Sequence, residues 1–465
     1  MTSLAILGTG SDVGKSLVTA LILRLLKDRG IQAAPFKAQN MSNNSAVTSE
    51  GLEIGRAQWM QATAAGLLPE VLMNPVLVKP QADHSSQLVV MGRPVGQLVR
   101  ERYFERAEEL KAQAYSAFRT LREKYPNIVV EGAGSLAEVN LRHRDYINLG
   151  LAREFNIPVI LVADIDRGGV FAQIVGSLEI ISPEDRALIK GILINRFRGS
   201  ALLFQDGIDW IEKRTGLPVL GLLPYRKDLK LPAEDAVVLD QLVEPHRPTG
   251  PAIAVIAYPR ISNFTDFDPL QNIPGIELHY LRKPRNLSDY SLVVLPGSKA
   301  VVADLDWLRG EGWLEEIESY RRDGGKILGV CGGFQMMGQR IEDPLGVESD
   351  QPFAQGLGLI PMVTVFSAHK VLKQKGPAYE IHQGQSHFLS DHQPWLGDGW
   401  RGDEGWGSYQ HGLFEDQIFL AQFLKQALGL DLELPAQSDP YQNLAEALGP
   451  HLDLDRLIQI MEAGA

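Results

Sequence analysis

The stretch LAILGTGSDVGKSLVTALILRLLKDRG, residues 4–30, decides the fold of the first half of the chain. It opens with an apolar run, tightens through glycines and continues with apolar residues at helical spacing. Strand, glycine-rich loop and helix in that order set backbone N–H groups and a helix N-terminus where they hold phosphate. Lys15 is then expected to reach the transferring phosphate, and the Ser16 hydroxyl to face Mg²⁺. The spacing departs from GxxxxGK[ST], because Thr9 stands where the first glycine belongs, between Gly8 and Gly10.

The same alternation of short apolar runs with longer amphipathic segments continues along the chain. LAILG, IVVEG, PVILVAD and GILINRF come first; IAVIAY, LVVLPG and ILGVC follow. Such runs suit parallel sheets covered by helices, so the class is α/β with two α/β domains. A polar, proline-punctuated stretch within 217–260 separates the two sets. The expected division is a nucleotide-handling domain at 1–235, a linker at 236–250 and a second domain at 251–465.

Parallel sheets present ligand-binding groups at the carboxyl ends of their strands. Glu131 in IVVEGAGSLAEVN therefore joins Ser16 as the expected Mg²⁺ ligand, and Asp164 and Asp166 in PVILVADIDRGG are expected beside the same loop. KAQNMSNNS (37–45) is dense in amides and hydroxyls. It suits either a polar substrate or a capped loop.

Composition narrows the class. The 465 residues are 45% hydrophobic and 22% charged, as in soluble globular proteins of two or three domains. No charge-free apolar stretch reaches the roughly 18 residues a membrane helix needs, and the N-terminus lacks a signal-peptide layout. A net charge of −12 argues against nonspecific nucleic-acid binding. A single cysteine excludes an intramolecular disulfide framework and a cysteine-rich metal site, which makes a cytoplasmic location the expectation.

That cysteine lies in KILGVCGGFQMMGQR (326–340), where an apolar run ends at Cys331 and Gly332 and Gly333 follow. A cysteine beside glycines is more often a buried small hydrophobe. A sharp strand-to-helix turn here would instead expose the sulfur and aim the next backbone N–H at a substrate carbonyl. A helix N-terminus also favours thiolate.

The surrounding sequence tips the balance. GVCGGFQMMG resembles the nucleophile elbow of class I glutamine amidotransferases. LPGSK (295–299) resembles their oxyanion strand, which implies oxyanion donors at Gly297 and Gly332. SYQHGLFED (408–416) resembles the segment carrying their catalytic histidine, here His411. Many of these enzymes place glutamate two residues beyond it; Leu413 stands there, and Glu415 has no assigned role, so a Cys331–His411 dyad is the expectation.

Across the whole chain, GTGSDVGKS, KAQNMSNNS, EGAGSLAEVNL, DIDRGGVFA, INRFRG, PGSK, YEIHQG and HGLF occur in the order found in the cobyric acid synthase family. This resemblance implies an N-terminal domain related to dethiobiotin synthetase that uses ATP to activate carboxylates. Gly8, Thr9, Gly10, Asp12, Gly14, Lys15 and Ser16 would bind ATP, with Asn195 near the base and Ser16 and Glu131 on Mg²⁺. It further implies glutamine and a corrinoid carboxylate as substrates, ammonia passed between domains and no permanently bound cofactor. Asn40, Asn43, Asn44, Asp164, Asp166 and His382 are the candidate acceptor contacts. Two rivals are the related cobyrinic acid a,c-diamide synthases, which amidate two carboxylates, and nonenzymatic partitioning ATPases. The latter commonly carry an additional lysine that GTGSDVGKS lacks.

Overall fold

The structure is a computed structural model that describes residues 2–82, 85–99, 105–226, 228–229, 244–376, 378–435 and 439–464. Residues 230–243, where the domain boundary and the first part of the expected linker fall, lie outside the described residues.

The first domain is built on six parallel strands: β1 (Thr2–Gly8), β2 (Ala33–Phe36), β3 (Asn127–Glu131), β4 (Val159–Asp164), β5 (Ile189–Phe197) and β6 (Val219–Pro224). Their spatial order is β6-β5-β4-β1-β3-β2, which puts β1 at the centre with β3 and β4 on either side. Side chains alternate across a strand, and β1 shows it. Leu4 and Ile6 join one buried cluster, Ala5 and Leu7 another on the opposite face. Both faces of this sheet are therefore covered, as a parallel sheet requires. The register pairs Ile6 with Glu131 and Gly8 with Val162, so the glycine loop, Glu131 and Asp164 emerge at one end of the sheet.

α1 (Lys15–Asp28) covers part of the Leu4/Ile6 face, beside α2 (Arg56–Ala64). The second domain follows through β7 (Ala252–Ile256), β8 (Glu277–Leu281), β9 (Leu292–Leu295) and β10 (Ile327–Val330), then the short helix α3 (Gly332–Met337). Next come the long hairpin β11 (Met362–Lys375) and β12 (Ala378–Phe388), and β13 (Gln393–Trp395), β14 (Gly399–Gly402) and β15 (Gly405–Ser408). The second sheet runs β8-β7-β9-β10-β15-β14-β13, with its first five strands parallel. The expected α/β class holds for both halves.

The expected extent of the second domain is corrected at its end. Two helices after residue 439, α4 (Pro440–Leu448) and α5 (Leu454–Ala463), bury Tyr441, Leu444, Leu457 and Met461 in one cluster with Leu4, Ile6 and Leu21 of the first domain. Leu454, Leu457 and Met461 recur at helical spacing, and their apolar stripe completes the cover that α1 and α2 leave unfinished. Arg24 of α1 fixes the return by pairing with Asp439 at 2.5 Å. Asp439 also caps α4 by accepting from the N–H groups of Tyr441 and Gln442.

Candidate active sites

At the first site, the loop between β1 and α1 closes with Gly14 at φ 92°, a left-handed conformation. A Cβ there would lie 2.1 Å from the Asn195 amide nitrogen, so glycine admits that side chain. Asn195 Nδ2 donates to the Val13 carbonyl at 2.9 Å. Asn195, expected near the base, thus braces the loop through its side-chain nitrogen. Lys15 Nζ donates to the carbonyls of Gly10 at 2.9 Å and Gly134 at 2.8 Å, which holds it between the two glycine loops.

Glu131 is completely buried. Its Oε1 accepts from Ser16 Oγ at 2.8 Å and Lys37 Nζ at 2.9 Å, and its Oε2 from Gln61 Nε2 at 2.5 Å. Lys37 supplies the opposite charge that a buried carboxylate needs. The Ser16 and Glu131 oxygens stand side by side, and hard oxygens of this kind fit Mg²⁺.

Asp164 and Asp166 flank the loop as expected, but each is held by an arginine of the INRFRG segment. Asp164 pairs with Arg196 at 2.8 Å, and Asp166 with Arg198. Arg196 also reaches Asp12 at 3.0 Å and, for a non-glycine residue, has an unusual φ of 59°. These acids organise a rim of arginines beside the nucleotide loop, which alters the expectation that they contact the acceptor.

At the second site, Cys331 follows β10 with φ 51°, ψ −109°, the sharp strand-to-helix turn expected, but the residue is buried, where an exposed sulfur was expected. Gly333 is required by contact: a Cβ there would lie 1.9 Å from the Leu295 carbonyl oxygen. This close packing sets α3 against LPGSK. Gly297 borders the imidazole, since a Cβ on it would be 3.2 Å from His411 Cε1. Cys331 Sγ lies 3.4 Å from the Ile381 carbonyl, and Cys331 is close enough to His411 to act on the charge of its imidazole.

The histidine's other partner is Asp266. His411 Nδ1 meets Asp266 Oδ2 at 2.6 Å, and Gly412 N–H donates to Asp266 Oδ1 at 3.0 Å. The arrangement Asp266–His411–Cys331 replaces the expected dyad. Sequence reasoning missed Asp266 because it lies in SNFTDFDPL, 145 residues from His411, with no local signature. Burial opposes charge on His411, but the Asp266 carboxylate and Cys331 outweigh it and raise the imidazole to about 10. Glu415 instead pairs across the domains with Arg56 at 2.7 Å.

Residues of the polar loop 37–45 serve largely to join the domains. Asn263 N–H donates to Asn44 Oδ1 at 2.8 Å, and Ser45 N–H donates to Asn263 Oδ1 at 3.0 Å. Asn44 is thereby committed to the interface, in place of the acceptor contact expected. Asn40 donates to Gln58 at 3.0 Å, while the buried Asn43 Oδ1 has no hydrogen-bond partner among the described residues. Tyr379 stacks on His411 with ring centroids 5.3 Å apart, and its hydroxyl donates to the Ser45 carbonyl at 3.0 Å. Buried Glu53 bridges Lys79 of its own domain and Lys370 of β11, each at 2.7 Å. His382 lies inside the second domain, stacked on Tyr409 at 3.7 Å with Nδ1 3.1 Å from the Gly384 carbonyl oxygen.

Two functional halves are thus fastened in one chain, and comparison with known proteins agrees. Residues 4–238 match the CobQ/CobB/MinD/ParA nucleotide binding domain, and residues 252–419 match the CobB/CobQ-like glutamine amidotransferase domain. The cobyric acid synthase of Chlorobaculum tepidum is 44% identical over 99% of this chain and 98% of its own length. Those of Synechococcus elongatus, 42% identical over 98% and 99%, and Mycobacterium ulcerans, 43% identical over 100% and 97%, are also similar throughout. With a nucleotide loop at one end, an amidotransferase elbow at the other and this likeness along their whole length, the 465 residues belong to the cobyric acid synthase family and form an ATP-dependent, amide-forming ligase that draws on glutamine.

Proposed function

We propose that this chain amidates the b, d, e and g carboxylates of adenosylcobyrinic acid a,c-diamide, giving adenosylcobyric acid. The observation that carries the chemistry is the Asp266 carboxylate on His411 Nδ1, with Cys331 acting on the same imidazole, in the same chain as Lys15, Ser16 and Glu131. The full-length likeness to cobyric acid synthases supports the corrinoid acceptor.

In the glutaminase half, Cys331 attacks the side-chain amide of glutamine as thiolate. Backbone N–H groups at Gly332 and Gly297 face the developing oxyanion. His411, held as imidazolium by Asp266, delivers its proton to the departing ammonia; water then releases glutamate from the thioester. In the synthetase half, an acceptor carboxylate takes the γ-phosphoryl group of ATP, and ammonia displaces phosphate from the acyl phosphate. Lys15, held between the carbonyls of Gly10 and Gly134, is the group assigned to stabilise charge on the transferring phosphoryl group. Ser16 and Glu131 would hold Mg²⁺, which supplies charge neutralisation on the phosphates.

Incubating the purified chain with ATP, Mg²⁺, glutamine and each candidate corrinoid tests the reading by product mass. Four added amides are expected from the a,c-diamide. Two amides on cobyrinic acid would favour the diamide synthase reading, and no turnover with either acceptor would remove the enzyme assignment.

Asp266→Asn is expected to lower glutamine hydrolysis roughly 100- to 1,000-fold, within the span of a lost acid–base function. Glu415→Gln should cost less than about tenfold, below the range for a lost acid–base group, because Glu415 is engaged by Arg56 whereas Asp266 holds His411 Nδ1. The pH profile separates chemistry from folding. With the imidazole raised to about 10, activity should persist on the alkaline side and fall only as His411 loses its proton. Asp266→Asn removes the carboxylate while leaving the burial, so this limb should move to lower pH. The pair's contribution to stability has the same sign: complete below the ordinary 6.5, and lost as pH rises through about 10. An unshifted limb in Asp266→Asn would contradict the role given to Asp266.

A further inference from the structure

We propose that His246, Glu277 and His279 form a divalent transition-metal site, suited to Zn²⁺, that ties the chain entering the second domain to the edge of its sheet. Glu277 and His279 alternate on edge strand β8, so both project from the same face. The segment before β7 brings His246 over that face. His246 Nε2 lies 3.3 Å from Glu277 Oε2, and His279 Nε2 lies 3.2 Å from the same oxygen. The three donor atoms all fall within 4.8 Å of one another.

These spacings suit an ion better than a pair of hydrogen bonds. Zn²⁺ bound tetrahedrally at about 2.0–2.1 Å from each ligand holds neighbouring donor atoms about 3.3 Å apart. Glu277 Oε2 is buried and has no hydrogen-bond partner among the described residues, although two imidazole nitrogens stand at that distance. A buried carboxylate oxygen left in this condition calls for a partner.

The surrounding groups are arranged as they are around metal ligands. Glu277 Oε1 accepts from the Thr249 N–H at 2.9 Å and its hydroxyl at 2.8 Å, which fixes the carboxylate plane. His279 Nδ1 is engaged by the Tyr290 hydroxyl at 3.1 Å, which fixes the ring with Nε2 toward Glu277. His246 is the exposed member, its side chain 71% accessible, with room to close the remaining distance while water fills the fourth position. Two imidazoles and one carboxylate favour a borderline ion over Mg²⁺ or Ca²⁺.

The site's place gives its role. Glu277 pairs with Ala252 at the N-terminal ends of parallel strands, whereas Cys331 follows the C-terminal end of β10. The ion therefore sits at the opposite end of the sheet from the thiol and acts as a staple where the chain enters the second domain.

The test uses the full chain stripped with chelator and titrated with Zn²⁺ by calorimetry and with Co²⁺ by absorption, on a Cys331→Ser background. One Zn²⁺ per chain is expected. Altering groups that merely support a ligand costs about 10–100-fold in affinity. His246→Ala, which removes an exposed ligand, should therefore weaken this binding at least about 100-fold without unfolding the protein. Glu277→Gln should do the same, and Co²⁺ should give tetrahedral visible bands in the parent that both variants lose. Equal stoichiometry and affinity in parent and His246→Ala would overturn the proposal, as would absence of stoichiometric Zn²⁺ binding by the parent.

Discussion

Cys331→Ala is expected to lower glutamine-dependent amide synthesis by roughly 10⁴-fold or more, the scale seen when a covalent nucleophile is removed. Synthesis from high external ammonia at alkaline pH should continue near the parent rate. The two nitrogen sources separate because the sulfur belongs to one site only. It sits on the elbow between β10 and α3, among His411, Gly297 and the Ile381 carbonyl. Lys15, Ser16 and Glu131 belong to the other domain. Alanine is smaller than cysteine and tolerates the buried position, so the interdomain contacts through Asn263, Tyr379 and Arg56 should survive. The measurement is amide product per unit time with glutamine and then with ammonium salt as sole nitrogen source. Glutamine-supported turnover at the parent rate would exclude Cys331 as the nucleophile. Equal loss with both sources would mean that the thiol also supports the synthetase domain.

Local patterns made much of this architecture readable before any coordinates. The phosphate loop, the strand-end Glu131 and the elbow at Cys331 each sit where a strand meets a turn, and glycine marks such turns in sequence. What escaped reading depends on contacts between distant segments. Asp266 acquires its role only because the segment after β7 folds beside His411. Periodicity can mark an apolar helix stripe but does not say which sheet it will cover; Tyr441 and Leu457, far along the chain, cover the first. The amides of KAQNMSNNS look alike in sequence. Asn44 differs from its neighbours because Asn263 meets it from the other domain. Asp164 and Asp166 were legible as strand-end acids, whereas their arginine partners follow from the register of β4 with β5.

Lys15→Ala should produce the converse of the cysteine variant. Amide synthesis is expected to fall roughly 10²–10³-fold with either glutamine or ammonia, the range for losing one preorganised electrostatic group at a developing charge. The lysine bridges the carbonyls of Gly10 and Gly134, so its ammonium is fixed between the two glycine loops. Its loss should not unbalance the buried carboxylate, because Lys37 supplies the charge opposite Glu131. Lys15 meets Gly10 and Gly134 of its own domain, whereas Asn44, Ser45, Glu53 and Arg56 reach across to the second. Glutamine hydrolysis should therefore remain within about tenfold of the parent, far less than the loss of synthesis. Rates of glutamate release and of amide formation, taken on the same folded sample, decide the matter. Undiminished synthesis would reject Lys15 as the phosphoryl-stabilising group. Equal loss of both rates would show that the nucleotide loop governs Cys331 through the same joints, and that the two sites do not fail separately.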